Sequence, residues 1–207
     1  MVYRKSAATE ERREARKRTL LEAATRLFGE HGYHATTVPM IVEAAESSTG
    51  SFYLHFRNKE DVFAAVLEEL GRKVLHVLMS AKEIEPDPVK ATPHEMEALF
   101  LWFADNPDLA RILIVESSGL SPRLEQVRRE ILHMHEVYVC GELQRQLQDN
   151  DSGDKREHPM ILARCMVGAV FETVYSWLEE PVEKRLSAAE VARVVSDFHL
   201  RAMGHIC

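Results

Sequence analysis

The chain has 207 residues, is 45% hydrophobic and carries a formal net charge of −7, a composition that excludes an intrinsically disordered protein. No segment approaches the roughly 18 consecutive apolar residues of a membrane span, and the charged N-terminus lacks the apolar core of a signal peptide. Three scattered cysteines, Cys140, Cys165 and Cys207, suit a reducing compartment better than a disulfide framework, so we expect a cytoplasmic protein without a membrane partner.

The periodicity of the apolar residues predicts an all-α fold. They recur at spacings of three and four, and β-branched residues do not alternate, which predicts about nine helices and no sheet. Helix one is expected over residues 10–31 with Gly32 as its stop. Thr37, Ser48 and Asn58 are expected to cap helices two, three and four. Helix three should then reach about Phe56 and helix four about Lys82, with Asp61 completing a capping-box-like arrangement.

Proline residues mark most of the predicted helix boundaries in the second half of the chain. Residues 83–92 are acidic and proline-rich and predict a linker, and the capping box from Thr92 to Glu95 predicts that helix five starts with Pro93. Asn106-Pro107 and Ser121-Pro122 start helices six and seven. The other expected bounds are about Gln148 for the end of helix seven, a loop over 149–159, helix eight over 160–178, and helix nine from a capping box at Ser187 to Gly204.

Residues 36–59, TTVPMIVEAAESSTGSFYLHFRNK, predict two short helices joined by a tight turn and followed by a third. A helix-turn-helix presents the start of its second helix to base edges in the major groove, where short polar side chains are needed. Thr49 and Ser51 meet this requirement, and Gly50 allows close approach of the backbone. Tyr53 and His55 suit phosphate contacts.

Charge is distributed unevenly along the chain. Residues 1–59 carry ten Lys+Arg against seven Glu, whereas the remainder carries sixteen basic against twenty-six acidic residues. A mildly basic end on an acidic body is compatible with one DNA-facing end. The polar start of helix one, ERREARKR, fits a basic arm along phosphates and fits equally a solvated helix end with Glu14–Arg18 pairing. Phe52 and Phe56, four residues apart, are expected to point into the core.

Three blocks, AA-x-x-LF-x-x-x-GY, TTV and STGSFY-x-HF-x-NK, occur in this order within residues 15–65 and resemble the DNA-binding domain of the TetR family of bacterial transcriptional regulators. The resemblance implies an all-helical homodimer with a larger C-terminal domain that binds a small effector. It also implies DNA contacts at positions matching Thr37, Thr49, Ser51, Tyr53, His55 and Lys59. Together with the helix-start arguments, the expected DNA-binding residues are Thr37, Val38, Pro39, Ser48, Thr49, Gly50, Ser51, Tyr53, Leu54, His55 and Lys59.

One departure from the family concerns the turn, where Gly-Val is usual and this chain has Glu46-Ser47. Glycine would relieve a strained backbone and valine would fill the core. Glu46 is therefore expected to adopt the turn at some cost in free energy, and it places a negative charge near DNA.

Large aromatic and methionine side chains concentrate in helices five to eight, where they can line an adaptable apolar pocket or simply form core. The expected effector-binding residues are Phe100, Trp102, Phe103, Arg111, Glu116, Met134, Tyr138, Phe171 and Tyr175. Helices eight and nine carry wide apolar stripes with small residues that permit close helix approach, which predicts a four-helix dimer face. Its expected members are Met166, Ala169, Val170, Thr173, Val174, Val194, Val195 and Phe198.

The sequence thus predicts a helix-turn-helix domain over 1–58, a connecting helix over 59–82 and an effector-binding and dimerisation domain over 83–207. The expected function is that of a repressor that binds a palindromic DNA operator as a homodimer and is released by a small apolar or amphipathic effector. A regulator whose ligand strengthens DNA binding, or one that activates transcription, stays open, as does a helical enzyme.

No nucleophile elbow, phosphate loop or paired acid is found, so no catalytic residue and no cofactor is predicted. The ten histidines are interpreted as satisfied surface or core residues because His133 and His135 cannot share a helix face and no cysteine pair has ligand spacing, so no metal site is predicted.

Overall fold

The computed structural model describes residues 7–85, 87–149 and 158–204. This part of the chain is all-helical, as predicted, with nine α-helices, one π-helical turn and no strand. The helices are α1 (Ala7–Ala35), α2 (Val38–Ala44), α3 (Thr49–Tyr53), α4 (Lys59–Ile84), α5 (Pro88–Asp105), α6 (Pro107–Arg111), α7 (Pro122–Asp149), α8 (Pro159–Glu179) and α9 (Ala188–Ala202), with the π-helical turn at Ile112–Glu116.

The break near the end of α1 occurs at Gly32, where a stop was predicted. Its φ of 76° and ψ of 171° lie outside the helical region, in a conformation that glycine adopts without the Cβ clash of other residues. Thr36 is fully buried just beyond the break. Its Oγ1 donates to the carbonyls of Leu27 at 3.0 Å and Gly32 at 2.8 Å, which ties the chain after the break back onto α1.

The three predicted N-caps of the helix-turn-helix segment are confirmed. Thr37 Oγ1, Ser48 Oγ and Asn58 Oδ1 each accept a hydrogen bond from the backbone N–H three residues on, at 3.5, 3.1 and 2.8 Å. Two details differ from expectation. The α3 helix ends at Tyr53, three residues short of the predicted end. The Asp61 carboxylate also accepts from the backbone N–H and the guanidinium of Arg57, at 3.0 and 2.7 Å, a contact that the sequence did not predict.

The predicted start of helix five at Thr92-Pro93 is wrong. The α5 helix begins at Pro88, with the N–H groups of Lys90 and Ala91 bonded to the Asp87 carbonyl, and it continues through Pro93. Ala91 and Thr92 are only 2% and 6% exposed, so burial of this turn outweighs the hydrogen bond that an interior proline removes. The predicted linker over 83–92 therefore shortens to the residues between α4 and α5.

The remaining helices lie close to their expected bounds. The ends of α7 and the start of α8 are each within one residue of prediction, and the capping box of α9 is confirmed, with both reciprocal contacts between Ser187 and Glu190 present. Gly204 follows α9 with a φ of 79°. The predicted loop over 149–159 lies mostly outside the described residues.

The chain divides into two compact units, Met1–Glu69 and Leu70–Cys207. The division falls within α4, and the sequence-based boundaries at residues 58 and 82 stay predictions. In the first unit, Phe28 on α1 and Phe63 on α4 pack edge to face with ring centroids 4.8 Å apart, and Ile41 and Phe52 are fully buried. This aromatic core holds α1, α2, α3 and the start of α4 together.

In the second unit, α5 packs along α9 and α7 packs along α8. Phe100 is fully buried, with its ring 6.5 Å from that of Phe103 and 5.9 Å from that of Trp177. The α8 helix is the one helix of the described residues that is long and apolar enough to cross a membrane, and 33% of its most apolar window is buried. It carries the exposed charged residues Arg164 and Glu172, and it packs against α7.

Candidate DNA-binding surface and effector cavity

The exposed side of α3 is set by two phenylalanines that anchor its other side. Phe52 is 0% and Phe56 4% exposed, and their rings lie 5.6 Å apart, which confirms that both point into the core. The side chains that follow Phe52 consequently face solvent, with Tyr53 56% and Leu54 73% exposed. Large apolar and aromatic groups presented in this way are available to a partner.

The backbone at Gly50 is open to close approach. A Cβ atom added there would meet nothing nearer than Ser48 Oγ at 4.0 Å, so packing within the chain does not require glycine. Glycine inside a helix costs about 1 kcal/mol relative to alanine. Packing within the fold therefore does not explain why glycine stands at the start of α3.

His55 is half-buried and lies within electrostatic reach of the basic start of α1. Burial holds its pKa below the ordinary value, and nearby positive charges lower it further, so the ring is neutral at pH 7. Those charges are Arg13, Lys17 and Arg16. The predicted alternative of Glu14–Arg18 pairing is replaced by a contact of Arg18 with Glu22 at 3.7 Å. The ring of His55 thus lies near three positive charges of α1 and one opposing negative charge, that of Glu14.

Lys59, expected at a phosphate, has internal partners. Its Nζ donates to the backbone carbonyls of Tyr33 at 2.7 Å and His34 at 3.3 Å, and it lies 4.3 Å from the centre of the Tyr33 ring. Burial lowers the pKa of this ammonium. Lys59 therefore ties the start of α4 to the end of α1, and a DNA contact by it stays a prediction.

The turn between α2 and α3 is strained, as its sequence predicts. Glu46 has a φ of 46°, and it is the one non-glycine residue with positive φ in the described part of the chain. A side chain in this region costs about 1–3 kcal/mol. The next residue, Ser47, buries a hydroxyl oxygen that finds no hydrogen-bond partner.

None of the eleven predicted DNA-binding residues is buried. Seven are exposed and four are half-buried, and all lie in the first unit. The exposed residues are Thr37, Pro39, Ser48, Thr49, Gly50, Tyr53 and Leu54, and the half-buried ones are Val38, Ser51, His55 and Lys59.

The second unit encloses a cavity formed by α4, α5, α7, α8 and α9. Its volume is about 80 Å³, measured as the space open to the centre of a water molecule. One water needs about 10–15 Å³ on this measure, so the cavity accommodates several atoms of a ligand. The wall is mainly apolar and includes Leu78, Leu99, Phe103, Leu143, Val170 and Met203.

Two groups of polar side chains interrupt this wall on the side of α4, α5 and α7. Tyr138 donates its hydroxyl to Glu95 Oε1 at 2.7 Å, and burial raises the pKa of Glu95. Lys82 forms an ion pair with Glu142, which also pairs with Arg145. Burial lowers the pKa of Lys82. The Tyr138 hydroxyl and the Lys82 ammonium each have a carboxylate partner from the same chain.

Two buried histidines, His135 on α7 and His199 on α9, also line the cavity. They are 3% and 4% exposed, and Nε2 of each has no hydrogen-bond partner. Burial lowers the pKa of both, that of His199 to about 4, so both rings are neutral at pH 7. The expectation that the histidines are satisfied is wrong at these two positions. Among the described residues, no group of three or more His, Cys, Asp or Glu could hold a metal ion.

Three of the nine predicted effector residues, Phe103, Tyr138 and Phe171, line the cavity. The others lie elsewhere: Phe100 is in the core, Trp102 and Met134 are half-buried, Arg111 and Glu116 form an ion pair at 3.6 Å, and Tyr175 is 40% exposed. Sequence reasoning missed Lys82, Glu95, His135 and His199. The available signal was a histidine inside an apolar stripe, as at Ile131–His135 and His199–Leu200.

The predicted dimer residues divide by burial. Met166, Val170, Val174 and Val195 are buried within a single chain. Val194 and Phe198 are 56% and 48% exposed, and Ala169 and Thr173 are half-buried. Fewer of the predicted dimer residues are therefore exposed on α8 and α9 than the sequence pattern indicates.

Comparison with known proteins gives consistent matches. Residues 20–66 match the family described as bacterial regulatory proteins, tetR family. A fatty acid metabolism regulator protein of Bacillus subtilis (strain 168) is 31% identical over 167 residues, which cover 77% of this chain and 81% of that protein. The transcriptional repressor DhaR of Mycobacterium sp. (strain GP1) is 29% identical over 175 residues, which cover 81% of this chain and 87% of that protein.

Among solved structures, the transcriptional regulator FadR from Bacillus subtilis, in complex with stearoyl-CoA, superposes with a TM-score of 0.73. The match is 24% identical and covers 91% of this chain and 98% of that chain. At this identity the similarity shows a shared fold.

Proposed function

The chain belongs to the TetR family of bacterial transcriptional regulators, which are DNA-binding proteins rather than enzymes, and on this basis we propose a ligand-released repressor. It binds a palindromic operator as a homodimer. A small effector with a long apolar part occupies the cavity of the second unit and lowers operator affinity.

The start of α3 carries the DNA-binding part of the proposal. Its first turn is capped by Ser48, exposes Thr49, and leaves open space over Gly50. Phe52 and Phe56 fix the rotation of the helix so that this turn faces outward. Two copies placed about 34–36 Å apart would read half-sites one helical turn apart.

The apolar cavity supports the effector part of the proposal. A related fold binds stearoyl-CoA, a ligand with a long apolar chain and a polar end. The wall of this cavity suits an apolar chain, because most of the side chains that line it are apolar, including Leu99, Phe103 and Val170. We propose an amphipathic effector of this general kind for this chain.

The α4 helix supports a coupling between effector and DNA. It starts at Lys59 and ends at Ile84, and it supplies Val74, Leu78 and Lys82 to the cavity. A ligand that displaces these side chains acts on the helix that begins beside α3. A tenfold loss of operator affinity requires about 1.4 kcal/mol of coupling, which is within the usual range for allosteric proteins.

Fluorescence anisotropy with an inverted repeat from the upstream region of the gene tests DNA binding. Gly50→Ala should weaken binding at least tenfold while raising the melting temperature, because alanine is the better helix former. Tyr53→Ala should weaken it as well. The matched control is Leu101→Ala, which truncates a residue 44% exposed in the second unit and should leave binding unchanged.

If Gly50→Ala and Tyr53→Ala both bind the repeat as tightly as the unaltered protein, the assignment of α3 is wrong. Effector response is tested by adding long-chain acyl-CoA or alkanols to the preformed complex. Tighter binding in their presence would contradict release and favour a co-repressor.

A further inference from the structure

Two imidazole nitrogens in the cavity are unpaired. His135 Nδ1 is 2.8 Å from the Ile131 carbonyl oxygen, and the ring of His199 is hydrogen-bonded to the backbone of Met166. The unpaired atom of each ring is Nε2. The carbonyl partner requires a proton on the bonded nitrogen, so Nε2 of each neutral ring presents a lone pair.

Both residues are nine-tenths or more buried, at 3% and 4% exposure, and both line the same cavity. A buried acceptor without a partner costs free energy that an apolar side chain would avoid.

The chemistry of a matching ligand follows from what the cavity offers. The hydroxyl of Tyr138 is donated to Glu95, and Lys82 is paired with Glu142. The two buried side-chain atoms of the cavity that have no hydrogen-bond partner, Nε2 of His135 and Nε2 of His199, are both acceptors. A carboxylate or phosphate beside these nitrogens would place its oxygen lone pairs against the nitrogen lone pairs, which is repulsive. An uncharged O–H group would instead donate a hydrogen bond to one of the nitrogens.

We propose that the effector carries a hydroxyl group on its apolar chain, and that this hydroxyl donates to Nε2 of His135 or His199. The inference rests on the proposed function in taking the cavity as the effector site. It names the ligand class as long-chain alcohols and hydroxylated acyl chains. His135 and His199 are then the residues that distinguish these ligands from plain hydrocarbon chains.

The probes are 1-alkanols of eight to sixteen carbons and their methyl ethers, measured by isothermal titration calorimetry on the full-length protein. An ether has the same chain and oxygen but no proton to donate. We expect one or more alkanols to bind at least ten times more tightly than the matching ether, a difference of about 1.4 kcal/mol. A second pair, 12-hydroxystearate and stearate, shows whether the hydroxyl is recognised on an acyl chain.

The variants are His135→Leu and His199→Leu, singly and together. The double variant should bind alkanol and ether within about twofold of each other, and it should melt no lower than the unaltered protein because it buries no unpaired acceptor. If the double variant does not fold, the same comparison is made with each single variant, and at least one must lose the preference.

Equal binding of alkanol and ether by the unaltered protein would overturn the proposal. So would a preference that survives in both single variants and the double variant, or the absence of binding by every alkanol in the series. If the protein prefers ligands with a hydroxyl group but these ligands leave operator affinity unchanged, the proposed function is wrong and the proposed recognition of the hydroxyl holds. If apolar chains release the operator and the protein shows no preference for a hydroxyl group, the proposed function holds and the proposed recognition of the hydroxyl is wrong.

Discussion

The hydroxyl of Tyr138 on α7 donates a 2.7 Å hydrogen bond to Oε1 of Glu95 on α5. The two residues are far apart in sequence and both line the cavity. Burial raises the pKa of Glu95, and burial together with the Glu95 carboxyl raises that of Tyr138. The glutamate that the sequence places in a capping box is therefore a buried acid at the edge of the effector cavity.

Glu95→Gln should stabilise the protein at high pH. Glutamine keeps an oxygen that accepts from Tyr138 but cannot ionise. The raised pKa of Glu95 means that the folded state holds its proton longer than the unfolded state, so stability falls as pH rises through the ordinary value of 4.5 toward the folded value. Urea denaturation should show Glu95→Gln more stable than the unaltered protein at pH 8 and equal to it near pH 4.

The partner substitution, Tyr138→Phe, should destabilise at both pH values, by about 1–3 kcal/mol, since it leaves the carboxyl without its donor. A Glu95→Gln protein that is equally destabilised at pH 4 and pH 8 would contradict the pKa assignment.

Glu46→Gly should stabilise the helix-turn-helix unit. Glycine removes the strain of a φ of 46°, with an expected gain of about 1 kcal/mol after its greater freedom in the unfolded chain is counted. Glu43→Gly is the matched control, because it places glycine inside α2 and should cost about 1 kcal/mol. The readout is the free energy of unfolding in urea. Equal signs for the two variants would rule out the strain argument.

Ser47→Val should add to this stabilisation. The Ser47 hydroxyl oxygen is buried without a partner, and valine replaces it with a methyl group and adds a second methyl to the core. The double variant Glu46→Gly with Ser47→Val also removes a negative charge near DNA, so we expect tighter operator binding that is more evident at low salt. A double variant that melts below the unaltered protein would contradict this interpretation of the turn.

His199→Leu should make the free energy of unfolding less dependent on pH below neutral pH. The folded-state pKa of about 4 lies below the ordinary 6.5, so the unfolded state takes up a proton first and stability falls as pH drops from about 6.5 to about 4. The difference between these two pKa values corresponds to a loss of roughly 3 kcal/mol in the free energy of unfolding. His76→Leu, at an exposed position on α4, is the control and should keep the slope. The measurement is the midpoint of urea unfolding at half-unit steps of pH.

Val194→Glu combined with Phe198→Glu should convert the protein to a monomer. Both side chains are exposed on α9, at 56% and 48%, and a charge buried there on association is costly. The control is Val137→Glu, which changes a valine that is 50% exposed on α7 and should not alter the molecular mass of the dimer in solution. Light scattering at micromolar concentration decides between these outcomes, and a monomeric unaltered protein would contradict the proposed dimer face.

Much of the first unit could be predicted because its determinants are local. The caps at Thr37, Ser48 and Asn58, the break at Gly32 and the inward Phe52 each depend on neighbours within a few residues. The strained Glu46 was predictable for the same reason, since a tight two-helix turn needs a left-handed residue at that point.

The start of α5 and the polar part of the cavity were not predictable in this way. Thr92-Pro93-His94-Glu95 satisfies the local pattern of a helix start, but burial of Ala91 and Thr92 extends the helix back to Pro88. Glu95 then meets a tyrosine from another helix. A helix start at Thr92-Pro93 and one at Pro88 both fit the local sequence. Packing against distant parts of the chain selects the second.

The sequence by itself determined the all-helical fold, the helix-turn-helix with its exposed α3 and the family, because helix periodicity, capping and motif spacing are properties of short segments. Only the tertiary structure decided what surrounds the cavity. His135 and His199 lie on different helices and look like core histidines in sequence. Their unpaired nitrogens exist because five helices close around the same space, and the partners of a buried polar atom are set by distances between segments remote in the chain.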